Sequence, residues 1–156
     1  MGDWKSIYQE RTVTAEEAVA RIKSGDRVVI GHAVGEPSYL LEVMVEHAQD
    51  YRDVEIVHMV AMGKCEYCKP EYAANFRHNA LFAGGGSRDA ISEGRGDYTP
   101  TFFFEVPQLF HTTLPVDVAL VSVTPPDENG NCSLGVSADY TLEAIRQAKL
   151  VIAQVN

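Results

Sequence analysis

Three segments of the sequence follow one order: a short predicted strand, a turn rich in glycine or proline, and then a helical pattern. The turns occupy residues 31–37, 84–88 and 125–135. Strands that alternate with helices pair side by side, and the helices cover the resulting sheet. The order therefore predicts an α/β fold, with an open, mostly parallel sheet and helices on both of its faces.

Capping residues and periodicity place the individual elements. Thr14 and Glu17 have the spacing of a capping box, which predicts a helix start at this point. Leu40, Leu41 and Met44 recur on one face of a second helix. This second helix is expected to cover residues 38–49, and further helices are expected near residues 71–75, 88–93, 106–111 and 139–148. Residues 94–100 are expected to form a loop. Strands are expected at residues 27–30, 54–60, 79–83, 101–104, 116–123 and 150–155.

Composition limits the classes of function. The chain has 156 residues, which is the length of one domain. Its net charge of −9 repels phosphate backbones, so no nucleic-acid partner is expected. No apolar run approaches the roughly 20 residues that a membrane helix needs, so no membrane partner is expected either. Three cysteines, an odd number without a secretory signal, predict a reducing, cytoplasmic location.

In a parallel sheet the three turns would meet at the carboxyl edge of the strands, where helix N-termini attract anions and ligands bind. In the first turn, His32 lies between Gly31 and Gly35. It is either a hydrogen-bond donor to an acyl oxygen or carboxylate, or a histidine bonded to neighbouring backbone. In the second turn, Arg88 either grips a phosphate or carboxylate, or is exposed on a helix that Ser87 caps.

Two further motifs carry little evidence of chemistry. Cys65 and Cys68 have the spacing of a redox pair or of half a zinc site, but the chain has no second pair of ligands. Because Pro70 follows immediately, where a redox pair normally opens a helix, we expect two ordinary thiols and no metal. Ser137 stands in a GxSxG-like pattern that lacks its last glycine, so Ser137 or Asp139 is expected to cap a helix and no serine hydrolase is expected.

Ordered motifs run along the whole chain. They are Trp4 with Ile7 and Tyr8, residues 24–28, His32 with Glu36 and Pro37, residues 69–72, 87–88, 93–100, 105–107, 125–130 and 135–140, then Ala148 with Lys149 and Val155 with Asn156. Together these motifs resemble the N-terminal domain of the acetyl-CoA hydrolase/transferase family, and within it the 4-hydroxybutyrate CoA-transferases.

The resemblance implies one half of a two-domain CoA-transferase architecture of the NagB/RpiA-like type, with residues 1–156 as the N-terminal domain. Members of the family exchange CoA between an acyl-CoA and a free carboxylate by a ping-pong route. In that route a glutamate forms an acyl anhydride and then a glutamyl-CoA thioester. The family's nucleophile lies in the C-terminal domain, so no catalytic residue is expected in this chain, which alone is expected to be inactive. Glu128 sits in an Asn-Gly turn and is interpreted as a surface residue.

The expected partners are therefore an acyl-CoA (4-hydroxybutyryl-, butyryl- or acetyl-CoA), a short-chain carboxylate, the C-terminal domain of the same protein and further copies in a homo-oligomer. Coenzyme A is expected as a substrate, with no tightly bound cofactor. An acyl-CoA hydrolase on the same fold and a stand-alone binding module for small anions or CoA remain alternatives.

The resemblance also implies a set of substrate-binding residues on the three turns and in the loop at residues 94–100. The first group faces the acyl group or the carboxylate acceptor, the second orients a carboxylate or a CoA phosphate, and the third shapes the floor of the cleft. The groups are Gly31, His32, Val34, Glu36 and Pro37; then Ser87, Arg88, Arg95 and Tyr98; then Pro125, Pro126 and Asp127.

Overall fold

One open, all-parallel sheet organises the computed structural model of the chain, which describes residues 4–156. Every neighbouring pair of its strands is parallel, and the order across the sheet is β4-β3-β2-β1-β5-β6. The strands are β1 (Arg27–Ile30), β2 (Val54–His58), β3 (Phe76–Ala80), β4 (Asp97–Tyr98), β5 (Val118–Val123) and β6 (Leu150–Val155).

Six α-helices accompany these strands within the described residues, and short 3₁₀ turns fill several of the connections. None of the helices in residues 4–156 combines the length and the apolar character needed to cross a bilayer. The helices are α1 (Trp4–Arg11), α2 (Ala15–Val19), α3 (Ser38–Glu46), α4 (Arg88–Ser92), α5 (Val106–His111) and α6 (Asp139–Gln147).

The predicted fold class is confirmed, because a separate apolar core lies on each face of the sheet. Val28 and Ile30 of β1 point into the core formed with α2 and α3, whereas Val29 between them points into the core formed with α5 and α6. Side chains alternate across a strand, so a fully buried parallel strand supplies both cores at once. The sheet therefore carries helices on both sides, as the sequence indicates.

The order of the strands reverses direction at β1. From β1 the chain adds β2, β3 and β4 on one side, and then returns to add β5 and β6 on the other. Such a switch point opens a crevice between the two loops that leave the adjacent strands at their carboxyl ends. Here those loops follow Ile30 and Val123.

Local signals placed several elements correctly. The Thr14 hydroxyl accepts a hydrogen bond from the Glu17 amide at 3.2 Å, and the Glu17 carboxylate accepts one from the Thr14 amide at 3.0 Å. This is the predicted capping box, a device that stabilises a helix by about 1 kcal/mol. The predicted inward face of α3 is also confirmed, since Leu40, Leu41 and Met44 are all buried.

Other elements differ from the prediction. Residues 101–104 form no strand; Phe102, Phe103 and Phe104 are exposed and lead into a 3₁₀ turn at Phe103–Glu105. The expected loop over residues 94–100 contains the two-residue strand β4, and β3 begins at Phe76 rather than at residue 79. Aromatic residues favour strands only where they can pack on a sheet, and this run has no strand beside it. Helix α1 was not predicted at all.

Candidate functional site

The switch point brings together two segments that are distant in the sequence. Nδ1 of His32, in the loop after β1, lies 2.7 Å from Oδ2 of Asp139, the first residue of α6. The other Asp139 oxygen accepts hydrogen bonds from the Thr141 amide at 3.2 Å and from its hydroxyl at 3.1 Å. The carboxylate is therefore held by its own helix and in turn orients the imidazole.

The His32 ring is fixed on its flanks by aromatic contacts. Its centroid lies 5.5 Å from that of Phe103 and 5.4 Å from that of Tyr140. The His32 side chain is 17% exposed, and its Nε2 has no hydrogen-bond partner among residues 4–156. A histidine whose Nδ1 bonds a carboxylate presents its second nitrogen in a defined direction. The geometry suits a group that meets a ligand through Nε2.

Tyr140 connects the site to the sheet below. Its buried hydroxyl donates to the carbonyl of Ile30 at 2.9 Å and accepts a long bond from the amide of Met59 at 3.5 Å. Burial raises the pKa of this phenol far above its usual range. One side chain thus joins the carboxyl ends of β1 and β2 to α6.

Glu36 is used to hold backbone. Its Oε2 accepts hydrogen bonds from the amides of Met62 at 2.9 Å and Gly63 at 3.1 Å, and only 6% of its side chain is exposed. His58 lies below it with Nε2 3.9 Å from the same oxygen, too far for a hydrogen bond. Burial lowers the pKa of His58 to about 3, so the His58 ring is neutral at neutral pH. Glu36 therefore clamps the loop after β1 to the loop after β2.

The rest of the first turn is tightly folded. A Cβ on Gly31 would lie 2.6 Å from the carbonyl oxygen of Gly35, and one on Gly35 would lie 2.8 Å from Cβ of Ser137. Pro37 is buried at the start of α3, whereas Val34 projects with 66% of its surface exposed. The turn after β1 thus packs directly on the segment that leads into α6.

In the second group of predicted residues, some side chains are exposed and available to a ligand, whereas others already bond to neighbouring loops. Arg88 is exposed and forms no ion pair or side-chain hydrogen bond within the described chain, and Tyr98 is half exposed. Arg95 donates to the backbone carbonyl of Cys68 and pairs with Glu93 at 2.6 Å, so its guanidinium fixes loops. The prediction that Ser87 caps α4 is wrong: its side chain is buried and makes no capping bond, because the segment turns through backbone bonds to Gly84.

The third group forms a turn beside the switch point. Oδ1 of Asp127 accepts from the amides of Asn129 at 2.9 Å and Asn131 at 2.8 Å, and these bonds lower the pKa of the carboxyl. Glu128 is exposed at the tip, which confirms its interpretation as a turn residue. Gly130 has φ +82° and its Cα faces the Trp4 ring, where a Cβ would approach Cγ to 2.7 Å. Pro125 and Pro126 are the rigid entry to this turn, which rests on α1.

A helix cap was also expected from Ser137 or Asp139. The residue before α6 is Ala138, which has no capping side chain, but Asp139 at the first position of α6 accepts the amide of Thr141, the third residue of the helix, on Oδ1 at 3.2 Å. The expectation is therefore met by Asp139 and not by Ser137. Ser137 is instead buried against Gly35. Asp139 reaches Thr141 with one oxygen and His32 with the other. Its part in the site was missed, although residues 135–140 already stood out as a motif.

Large apolar side chains are exposed around this edge of the sheet. They follow the carboxyl ends of five strands, where a free surface would more often be polar. They are Val34 after β1, Met62 after β2, Phe82 after β3, Phe102, Phe103 and Phe104 after β4, and Val136 after β5. Across residues 4–156, no group of three His, Cys, Asp or Glu side chains is arranged to hold a metal ion.

Comparison with known proteins identifies the family. Residues 2–156 match the model of the acetyl-CoA hydrolase/transferase N-terminal domain. The chain belongs to this family. It is 57% identical over 155 residues to a 4-hydroxybutyrate coenzyme A transferase of Clostridium kluyveri, and the match covers 99% of the chain and 36% of that protein.

Solved structures agree with the family assignment. The fold superposes on RipA from Yersinia pestis with a TM-score of 0.92 at 27% identity, covering 99% of the chain and 38% of RipA. It also matches a 4-hydroxybutyrate CoA-transferase from Porphyromonas gingivalis with a TM-score of 0.78 at 33% identity, covering 99% of the chain and 35% of that protein. The chain therefore spans about a third of the length of its relatives, in the position of one α/β domain.

Proposed function

We propose that this chain is the N-terminal domain of a CoA-transferase that moves CoA between a short-chain acyl-CoA and a free carboxylate. The observation that carries the proposal is the oriented His32–Asp139 pair at the switch point, in a chain of this family. Relatives that share the match are named as transferases acting between acyl-CoAs and carboxylates, including a butyryl-CoA:acetate CoA-transferase of Anaerostipes caccae. Coenzyme A enters as a substrate.

The proposed reaction begins outside the described domain. A glutamate carboxylate from the remaining polypeptide attacks the thioester carbonyl, the C–S bond breaks, and CoA leaves as a thiolate from an acyl-glutamyl anhydride. The CoA thiolate then attacks the glutamyl carbonyl of the anhydride, releasing the first carboxylate and forming glutamyl-CoA. The acceptor carboxylate takes the place of the first, and the same steps run in reverse. Each step passes through a tetrahedral oxyanion.

The domain contributes a donor to that oxyanion. In the imidazolium form His32 keeps one N–H on Asp139 and has a second at Nε2, which is free among the described residues. Nε2–H donates to the carbonyl oxygen as negative charge develops there, and Asp139 stabilises the positive ring. Phe103 beside the ring keeps water away from the anhydride, which water would otherwise hydrolyse.

The remaining predicted residues take supporting roles in this proposal. Arg88, unpaired and exposed at the carboxyl edge, orients a carboxylate or a CoA phosphate. The turn of Pro125, Pro126 and Asp127 forms the floor of the cleft, and the exposed apolar side chains of this edge pack against the C-terminal domain. Glu36 and Arg95 act through the loops that they hold.

The test uses the protein at its full natural length. We expect CoA release from butyryl-CoA to depend on added acetate or 4-hydroxybutyrate, and we expect a borohydride-reducible enzyme–CoA thioester in the absence of an acceptor. CoA release that proceeds equally without any carboxylate would establish a hydrolase instead. CoA binding without turnover would favour a binding module.

Variants assign the roles of single residues. Replacing His32 with Ala is expected to lower kcat by about 100-fold or more, the usual effect of removing one oxyanion donor. Replacing Arg88 with Ala is expected to raise the KM for the carboxylate or the acyl-CoA. The matched control is His111→Ala, which removes a histidine paired with Glu143 on the helix layer. Transfer rates that are unchanged in both His32→Ala and Arg88→Ala would refute the site assignment.

A further inference from the structure

The segment Cys65–Cys68 is a tight turn that holds two cysteines close together in the chain, and both are free thiols. The Cys68 amide donates to the Cys65 carbonyl at 2.8 Å, closing a tight turn over the 3₁₀ helix Glu66–Cys68. A turn closed in this way holds its first and last Cα atoms less than about 7 Å apart. Disulfides join Cα atoms at about 4.4–6.8 Å, so the backbone already has the required separation.

The two thiols differ in chemical character. A hydrogen bond from the Cys68 thiol lowers the pKa of Cys65, and the Tyr67 hydroxyl adds a second contact at 3.8 Å from Sγ. The same hydrogen bond, with burial, raises the pKa of Cys68. The thiolate is the reactive form of cysteine, so Cys65 is the nucleophile of the pair. Cys68 remains protonated and is the resolving cysteine.

A cavity gives small molecules access to Cys65. It has a volume of about 230 Å³ and lies between α3 and the loop after β2. Cys65 and Tyr67 line it together with Leu41 and Val45 of α3, whereas Cys68 is not among its lining residues. The access route therefore leads to the cysteine that has the nucleophilic character.

The pair also lies against the turn at residues 84–88. A Cβ on Gly86 would lie 2.7 Å from Sγ of Cys65, so the sulfur fits into a space that only glycine leaves open. Cys65 itself has φ +49°, a conformation that is uncommon for residues other than glycine. A strained backbone at a buried nucleophile indicates a position with a function beyond packing.

We propose that Cys65 and Cys68 form a reversible thiol–disulfide site that reacts with low-molecular-weight disulfides. The Cys65 thiolate attacks one sulfur of the reagent, a new S–S bond forms, and one thiolate leaves. Cys68 then gives up its proton to solvent and attacks the Cys65 sulfur, which expels the second thiolate of the reagent. The cysteines lose two electrons and two protons in total, and the reagent is reduced to two thiols.

The test uses the full-length protein in its native state. After removal of reductant, it is incubated with glutathione disulfide, the remaining thiols are alkylated, and peptides are mapped by mass spectrometry. We expect a disulfide within the peptide that contains Cys65 and Cys68, with the loss of two hydrogens, and its reversal by dithiothreitol. Exposed Cys132 is an internal control. It is expected to keep glutathione as a mixed disulfide, because its peptide has no second cysteine that could displace the glutathione.

Single variants test the order of attack. In Cys68→Ser, glutathione is expected to stay on Cys65 as a mixed disulfide, because the resolving thiol is absent. In Cys65→Ser, Cys68 is expected to remain free of glutathione until the protein is unfolded. Native protein in which Cys132 has reacted while Cys65 and Cys68 both remain alkylatable would overturn the proposal, independently of how the variants fold. Glutathione on native Cys68 in Cys65→Ser would overturn the assigned roles.

Discussion

Replacing Gly31 with Ala tests whether the first turn is as closely packed as the structure indicates. The new Cβ would lie 2.6 Å from the Gly35 carbonyl oxygen and 3.5 Å from the Gly35 carbonyl carbon. Both are backbone atoms, and the backbone is held by a hydrogen bond at Gly31 and at Gly35. The Gly31 amide is bonded to the carbonyl of Leu120 at 2.9 Å, and the Gly35 amide to that of His32 at 2.9 Å.

The expected cost follows from this overlap. Forcing an extra methyl group into a packed site costs about 1–3 kcal/mol. At about 2–4 °C per kcal/mol for a cooperative unit of this domain's size, the melting temperature of the domain should fall by roughly 2–12 °C. The natural-length protein is compared with its variant by thermal unfolding and by the urea midpoint. Because His32 follows Gly31, transfer activity should fall as well.

The matched control is Gly84→Ala, where a Cβ would meet no atom within 4 Å. Both substitutions restrict the unfolded chain to the same extent, so the difference between them isolates the clash. We expect Gly84→Ala to stay within about 0.5 kcal/mol of the parent or to be slightly more stable. Equal stabilities of the two variants would refute the close approach of residues 31 and 35.

Three further predictions concern the site and its support. Tyr140→Phe removes the buried bond to the Ile30 carbonyl and should lower the free energy of unfolding by about 1–2 kcal/mol, while exposed Tyr39→Phe should leave it unchanged in the same urea titration. Asp139→Asn removes a charge-assisted hydrogen bond to His32 worth about 1.5–3 kcal/mol and should lower kcat/KM about 10- to 150-fold. A variant with the kinetics of the wild type would refute a role for Asp139 in the site. Burial lowers the pKa of His58 to about 3 and that of His78 to about 4, so at acidic pH the unfolded state binds protons that the native state excludes. Stability should therefore fall from pH 7 to pH 5, approaching about 1.4 kcal/mol per pH unit for each histidine, and equal urea midpoints at the two pH values would contradict this.

The sequence predicted those elements whose stabilising contacts are local or strongly periodic. The capping box of Thr14 and Glu17 lies within four residues, and the apolar face of α3 repeats with the helical period. Strands β1 and β6 are mostly apolar runs rich in β-branched residues, and their predicted bounds are those of the structure. Where local preference and packing disagree, as in the phenylalanine run at residues 102–104, packing decides and the prediction fails.

The candidate site could be predicted only in part, for a related reason. The glycines stand out because they mark the turns, and His32 and Arg88 stand out because their side chains can bind an acyl oxygen, carboxylate or phosphate at those turns. Asp139 does not, because an acidic residue at the first position of a helix is fully explained by the helix dipole. Its contact with His32 joins residues 107 positions apart and exists only because β5 is inserted beside β1.

The direction of the strands explains why this edge of the domain concentrates so many unusual features. In an all-parallel sheet every strand ends at the same side, so each loop that follows a strand must find its contacts among the other loops. Glu36 bonds the loop after β2, Tyr140 bonds the end of β1, and Cys65 packs on Gly86 after β3. These contacts hold the loops from beneath and leave Val34, Phe82 and Val136 exposed above them. A layer that is rigid below and apolar above fits the proposal that a second domain closes a water-free cleft over His32.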